Sequence, residues 1–393
     1  MNRRNFLRNS GLGSLPLVTG GLAGLAFRQE DPGTGARDAL SINFIQDGLM
    51  FTPAEYIGKL EEINKVRPMK PDFYGSRGTV DDLLKKFTDL TGKEAAFYMP
   101  SGTLANQLAI QVLSGDNSKV FVQETSHVFR DEADAAQSLY NKRLVPLARG
   151  KHSFTLEDLQ QEIAYNAKEE YFKTGIGAIS IEIPVRRCDA RVFPIGEIKR
   201  ISAWCREKGY KLHLDGARLH IAAAWSDVSV HEYASYFDTV YMCLYKYLGA
   251  SSGAILCGPK NIIDPMEHLV KVHGGAMYQN WANASMALHQ LEGIEERFRT
   301  TRELAERLFR TLNRVSGIQI TPVPEGSNVF YLRLDKGYDL KLFAKVLAEQ
   351  QAVRIGRPED DGATRLRVNE SLLLREEGSI AAAFRAALPL AKV

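Results

Sequence analysis

Lys211-Leu212-His213-Leu214-Asp215-Gly216-Ala217-Arg218 is a short apolar run that ends in a carboxylate, a small-residue turn and an arginine. A run of that length, closed by a turn, reads as a buried strand rather than a helix. Similar runs lie at 95–99, 120–123, 178–184, 239–244 and 253–257, with helix-like segments at 104–113, 156–167, 195–208 and 230–235 between them. Short buried strands alternating with helices imply an α/β fold, a mostly parallel sheet with helices on both faces. Ligands on such sheets sit at the carboxyl ends of the strands. The residues just after each apolar run are therefore the candidates for chemistry.

The chain has 393 residues, too many for one simple core. Beyond the alternating region the pattern changes. A long charged helix is expected over 282–312, followed by strands at 328–334 and 364–368 and helices at 340–350 and 376–387. These make a smaller C-terminal α+β domain. The expected organisation is 1–30 as a leader, 31–280 as the large domain with an N-terminal arm, and 281–393 as the small domain. Hydrophobic residues at 45% and charged residues at 25% are ordinary for a folded protein. A net charge of +3 gives no argument for nucleic acid or a polyanionic partner. Cys188, Cys205, Cys243 and Cys257 show no C-x-x-C pair, so neither a disulfide framework nor a zinc site is expected.

The first segment reads as an address. Met1-Asn2-Arg3-Arg4-Asn5-Phe6-Leu7-Arg8 precedes a Gly-rich, weakly apolar run over 11–27 that Pro16 interrupts. Twin arginines ahead of Phe-Leu resemble a twin-arginine export signal, and the run is too broken for a spanning helix. The expectation is export to the periplasm or the extracellular space, with no stable membrane span in the mature form. Residues 31–37 read as a linker.

Four strand ends carry candidate chemistry. After 95–99 comes Pro100-Ser101-Gly102-Thr103-Leu104-Ala105-Asn106. Small residues opening a helix present free N–H groups to a phosphate, although Ser-Gly-Thr is also a plain turn and N-cap. After 120–123, His127 is placed to stack on a ring or exchange protons, with Glu132 five residues on to orient it; a structural histidine has the same look. Asp215 and Arg218 suit a pyridinium ring and its oxygen, or else form a structural pair. His213 shares a strand face with Asp215, but no third ligand is evident and no metal is expected. Lys246, in Cys243-Leu244-Tyr245-Lys246-Tyr247-Leu248-Gly249, is wedged among apolar groups. Burial would depress its pKa and make it nucleophilic, whereas a snorkelling lysine would keep its charge in water.

In order and spacing these segments resemble the threonine aldolase branch of the pyridoxal-phosphate (PLP)-dependent β-eliminating lyases, which share the aspartate-aminotransferase-like fold. Phe73-Tyr74-Gly75, Thr79-Val80, Gly92-Lys93-Glu94-Ala95-Ala96 and Gly274-Gly275-Ala276-Met277 add to the match, which runs over roughly residues 42–390. The resemblance implies that Lys246 is the Schiff-base lysine and that Asp215 pairs with the pyridinium nitrogen. It implies that Arg218 contacts the ring hydroxyl, His127 stacks on the ring, and Gly102 and Thr103 hold the phosphate. Arg365 matches the arginine that forks onto the substrate carboxylate, and Arg367, two residues on, shares its strand face. It further implies a homodimer or homotetramer.

The departures fall at the substrate end. Ile45-Gln46-Asp47-Gly48 stands for the family's Arg-Ser-Asp-Thr, Tyr278 for an arginine near the phosphate, and Tyr245 for a serine. Ile183-Pro184-Val185-Arg186-Arg187 stands for an Asn-Thr-His-type run. The expected activity is cleavage of a β-hydroxy amino acid to glycine and an aldehyde. The alternatives are β-elimination to a keto acid and ammonia, and a PLP-binding protein with little turnover.

Overall fold

Strands form where apolar residues can be buried on both faces, and that condition sets the architecture. The structure, a computed structural model, describes residues 40–393. The leader, with Arg3 and Arg4, and the linker at 31–37 lie outside the described residues. In chain order the strands are β1 (Ile42–Asn43), β2 (Ala95–Met99), β3 (Lys119–Gln123), β4 (Arg143–Leu147), β5 (Ile176–Glu182), β6 (Lys211–Asp215), β7 (Thr239–Cys243), β8 (Ala254–Gly258), β9 (Ile318–Pro322), β10 (Val329–Leu334), β11 (Val353–Arg354) and β12 (Thr364–Arg367). Seven of them make the main sheet, in the order β2-β8-β7-β6-β5-β3-β4. The pairs from β4 through β7 are parallel, and β8 runs antiparallel to both β7 and β2. This is the α/β, mostly parallel arrangement the sequence implies.

Successive strand residues point to opposite faces, and here both faces are dry. Phe121, Ile179, Ile181, Leu212, Leu214, Val240, Met242 and Ile255 join one apolar cluster. Their alternate neighbours divide between two others: Tyr241, Cys243 and Leu256 pack with the helix Gly102–Ser114, and Val120, Val122 and Ala178 pack beside it. The first face is covered by the helices Gly78–Thr91, Leu156–Glu169 and Ile195–Lys208. Cys205, Cys243 and Cys257 are buried as free thiols within these layers, and Cys188 is half-buried.

A separate apolar cluster is built from the C-terminal part, with β12-β10-β9 as its sheet. Ile42 and Phe44 belong to it, and β1 pairs with β11 in parallel. Phe44 lies 6.2 Å from the Phe309 ring and 6.3 Å, edge-on, from Phe384. The N-terminal stretch of the described chain is thus anchored among C-terminal residues.

Two sequence expectations change. The helix expected over 282–312 is two helices, Trp281–Leu291 and Ile294–Leu312. The break falls at Gly293, which caps the second helix with φ +64, a left-handed conformation that glycine adopts without steric cost. The edge strand β4, with the sequence Arg-Leu-Val-Pro-Leu, is absent from the strands expected from sequence. Pro146 weakens the pattern yet is tolerated at a sheet edge, where its missing N–H costs no ladder bond. Among the described residues no helix is long and apolar enough to cross a membrane.

Phe384 is fully buried between Phe44 and Phe343. Phe384→Ala is expected to destabilise the fold by roughly 3–5 kcal/mol through lost burial and the cavity left behind. Urea unfolding followed by circular dichroism measures this; a loss below about 1 kcal/mol would mean that the aromatic cluster does not anchor the N-terminal stretch.

Candidate active site

Asp215 ends β6 with 2% of its surface exposed. Its carboxylate accepts the Ala217 N–H at 3.2 Å and the Asn106 amide at 3.1 Å. Asn106 comes from the helix Gly102–Ser114, on the sheet face to which His213 and Asp215 both point. His213 is fully buried, and desolvation drives its pKa down to about 4, so its ring is neutral. With Nε2 donating to Asn106 Oδ1 at 3.0 Å, Nδ1 accepts from the Thr239 hydroxyl at 2.8 Å. That chain fixes the amide so that its NH2 faces two carboxylates, Asp215 and Glu132, the latter at 2.7 Å. His213 is therefore a positioning group for the site carboxylates.

Glu132 also accepts from His127 Nδ1 at 2.9 Å. The five-residue spacing thus does bring this carboxylate onto the imidazole. Burial acts to lower the His127 pKa, but the Glu132 bond and the nearby carboxylates outweigh it, and the net shift is upward. For Glu132 burial dominates and its pKa rises. The polar atoms of His127, Glu132 and Asp215 lie within 4.8 Å of one another, a proximity that the shared hydrogen bonds of Asn106 and His127 account for.

Glu182, at the end of β5, is a site residue that the sequence did not single out. Its carboxylate accepts the backbone N–H of His127 at 2.7 Å and of Arg186 at 2.9 Å. Burial, reinforced by the charge of Asp215, pushes its pKa up to about 7. It clamps together the loops after β3 and β5 that carry His127 and Arg186.

On the opposite side, Lys246 follows β7 and is half-buried. Burial and then the Arg218 charge lower its pKa. Arg218 does not face solvent. Two of its nitrogens lie 2.8 Å from Asp47 Oδ2. Burial would raise the Asp47 pKa, but Arg218, aided by Arg367 and Lys246, brings it to about 2. Gly48 explains how the segment lies so close: a Cβ there would sit 2.5 Å from Tyr247 Cα. What the sequence shows as an altered substrate loop is also the partner of Arg218 and a backbone pressed against the lysine segment.

Ser101 caps the helix Gly102–Ser114 by accepting the Leu104 N–H at 3.3 Å. The N–H groups of Gly102 and Thr103 donate to no described residue, as a phosphate site requires. The two candidate carboxylate-binding arginines part company. Arg365 is ion-paired with Asp189, Glu359 and Asp361 and lies 4.8 Å from the Tyr331 ring centre. Arg367 is joined through its backbone N–H to Phe44 O, one residue on from the end of β1 (Ile42–Asn43), and its side chain makes no hydrogen bond or ion pair with a described residue.

A lysine after β7, a carboxylate at the end of β6 and an imidazole from beyond β3 thus lie near one another at the ends of the sheet strands. Residues 68–334 match the beta-eliminating lyase family, and the chain belongs to it. A low-specificity L-threonine aldolase of Candida albicans is 34% identical over 212 residues, 53% of this chain and 56% of that one. A probable low-specificity L-threonine aldolase 2 of Arabidopsis thaliana is 30% identical over 269 residues, 66% of this chain and 74% of that one. The chain spans about half the length of several curated relatives it matches. Among solved structures, a putative aromatic amino acid beta-eliminating lyase/threonine aldolase from Exiguobacterium sp. superposes with a TM-score of 0.73 at 25% identity, covering 87% of this chain and 96% of that one. A putative L-allo-threonine aldolase from Listeria monocytogenes, 24% identical with a TM-score of 0.73, shares the fold.

Asp47→Asn leaves the Arg218 guanidinium buried without its counter-charge and is expected to cost roughly 3–5 kcal/mol. The sign with pH follows from the depressed Asp47 pKa: the pair stabilises fully above the ordinary 3.8 and is lost as pH falls through about 2. The variant's acid-unfolding curve should therefore lose its slope in that window. An unchanged curve would show that the pair contributes nothing to stability.

Proposed function

We propose that this protein is a PLP-dependent lyase of the threonine aldolase type, cleaving a β-hydroxy amino acid to glycine and an aldehyde. The observation that carries the reading is one convergence at the strand ends: Lys246 with its depressed pKa, the buried Asp215, and His127 backed by Glu132.

The donor set fits PLP. Lys246 is an amine that burial drives toward the neutral, nucleophilic form, and it would hold the cofactor's aldehyde carbon. Asp215, fixed by Asn106 and the Ala217 N–H, would hold the ring nitrogen. The free amides of Gly102 and Thr103, with the Thr103 hydroxyl, would hold the phosphate. Arg218, kept in place by Asp47, would contact the ring oxygen. When bound, PLP supplies an electron sink for a bond broken at Cα.

The remaining work falls to the chain's own groups. Arg367, unlike Arg365, has no carboxylate of a described residue within ion-pair distance, so it is the guanidinium that would fork onto the substrate carboxylate. His127, with Nδ1 held by Glu132, presents Nε2 as the atom that accepts the β-hydroxyl proton. Its raised pKa makes it the stronger base once deprotonated, and it stops accepting protons as pH falls below that pKa. Lys246, as the amine displaced by substrate, is the other group placed to carry a proton at Cα.

The purified protein, incubated with L-threonine, L-allo-threonine, phenylserine, serine and cysteine, is expected to release glycine and an aldehyde from the β-hydroxy substrates. Ammonia with a keto acid would instead make it a β-eliminating lyase, and turnover of none would make it a PLP-binding protein. Lys246→Ala is expected to lose the visible absorbance of the bound cofactor and to cut activity by at least about 1000-fold; unchanged absorbance would sink the lysine assignment.

The leader supports a second part of the proposal, export by the twin-arginine route to the periplasm or beyond. Replacing Arg3 and Arg4 together by lysine is expected to hold the protein in the cytoplasm of a competent host, as cell fractionation would read. Export of that variant at the wild-type level would remove this reading. A homodimer or homotetramer is also proposed, supported by the exposed apolar group Phe73, Tyr74, Met277 and Tyr278.

A further inference from the structure

Lys246 stands on a stretch of chain with little backbone support. It lies between β7 and β8, and from Tyr245 to Gly249 no backbone N–H donates to a carbonyl of the described residues. Side-chain packing and one hydrogen bond hold the stretch instead. Tyr247, the residue after the lysine, is buried, with ring centres edge-on at 5.5 Å from His220 and 5.6 Å from Phe298. Its hydroxyl lies 3.0 Å from His220 Nδ1.

His220 is the second residue of the helix Leu219–Ser226, which begins just after Arg218. Backbone N–H groups of a first helical turn have no partner within the helix, and that of His220 also faces the Tyr247 oxygen. The oxygen accepts there and donates to Nδ1, which puts the ring proton of a neutral His220 on Nε2. Burial drives the His220 pKa down to about 3, so the ring stays neutral, and burial holds the Tyr247 phenol well above its usual range. Nε2 is buried and meets no acceptor among the described residues. An unmet buried donor costs about 1–3 kcal/mol, and phenylalanine at both positions would fill the same space without it. Apolar packing is non-directional, whereas a hydrogen bond has a preferred geometry. What the pair adds is a fixed place for Tyr247, and with it for Lys246.

The same backbone is met from another side by Gly48, where a Cβ would lie 2.5 Å from Tyr247 Cα and 3.4 Å from Lys246 O. Gly48 follows Asp47, the partner of Arg218. Tyr247 thus joins the lysine to the helix that begins after Arg218 and to the segment that carries the counter-charge of Arg218. We infer that the Tyr247–His220 hydrogen bond positions Lys246 for the aldehyde carbon of PLP, holding in place a segment that would otherwise have to be ordered when the cofactor binds. The inference rests on the proposed cofactor reading and adds two positioning residues to it. Ordering a loose segment on binding would cost affinity. The effect belongs to the bond between Lys246 and that carbon, which forms as water leaves, and not to contacts with the ring or phosphate.

The test uses the full-length protein stripped of cofactor and compares wild type with Tyr247→Phe, His220→Phe and the double variant. PLP and pyridoxamine 5'-phosphate are titrated separately by calorimetry; the second has an amine in place of the aldehyde and cannot bond to the lysine. Each single variant is expected to bind PLP roughly 3- to 10-fold more weakly, the effect of one neutral hydrogen bond, and to bind pyridoxamine 5'-phosphate as wild type does. The double variant removes both partners, so it should recover the thermal stability that the single variants lose and yet keep the PLP defect. Unchanged PLP affinity in the single variants overturns the inference. An equal loss for the two ligands, or wild-type PLP affinity in the double variant, also overturns it, because the pair would then be a packing feature only. A wild type that takes up neither ligand overturns the cofactor reading and this inference with it. Circular dichroism checks folding, and the two single variants break the same bond from opposite ends, so either one that folds serves the comparison.

Discussion

Asp215 and Glu182 end neighbouring parallel strands, Glu132 lies beyond the short helix His127–Arg130, all three carboxylates are buried, and the site exists only because each is supplied with protons or donors. Uncompensated, any one of them would be neutralised or would destabilise the sheet. Asn106 resolves most of the conflict. Its amide NH2 donates to Asp215 and Glu132 together, and its carbonyl accepts a hydrogen bond from the ring N–H of a neutral His213. His127 completes Glu132, while two backbone N–H groups complete Glu182. Position, protonation and orientation of the imidazole therefore follow from one hydrogen-bonded assembly rather than from His127 itself.

The cationic side is organised in the same way. Arg218 and Lys246 repel each other, and Asp47 is the anion that lets both stay. Asp47 arrives on a segment anchored elsewhere: β1 pairs with β11, and Phe44 packs against Phe309 and Phe384. The C-terminal apolar cluster thereby fixes a residue of the catalytic side. Arg367 is joined to the same segment through its bond to Phe44 O. A change of packing in the C-terminal part would reach the active site through these few residues, because Phe44 and Asp47 lie only three positions apart in the chain.

The segments expected from the sequence to differ from the family pattern are structurally coherent. Gly48 lets the segment lie on Tyr247, which a threonine could not do without moving the backbone. Arg187 pairs with Asp131, and Arg186 lies 3.4 Å from the same carboxylate. Arg186 and Arg187 therefore brace the loop after β5 as well as adding positive charge near His127.

The sequence by itself determined the elements whose signals are local. Apolar runs too short for helices marked the central strands, and the residues just beyond those runs marked Asp215, Arg218, Lys246, Gly102, Thr103 and His127. Glu132 was legible too, because five residues are enough to return a carboxylate to the histidine. The tertiary structure alone decided the rest. Asp47 and Arg218 meet across 171 residues, and Asn106 meets Asp215 across 109. Arg365 and Arg367 look alike on one strand face until Asp189, Glu359 and Asp361 are brought to the first and not the second. Periodicity and turn chemistry act over a few residues and are written into the chain. Charge pairing and desolvation depend on distances in space, which exist only once the sheet and its helices have packed.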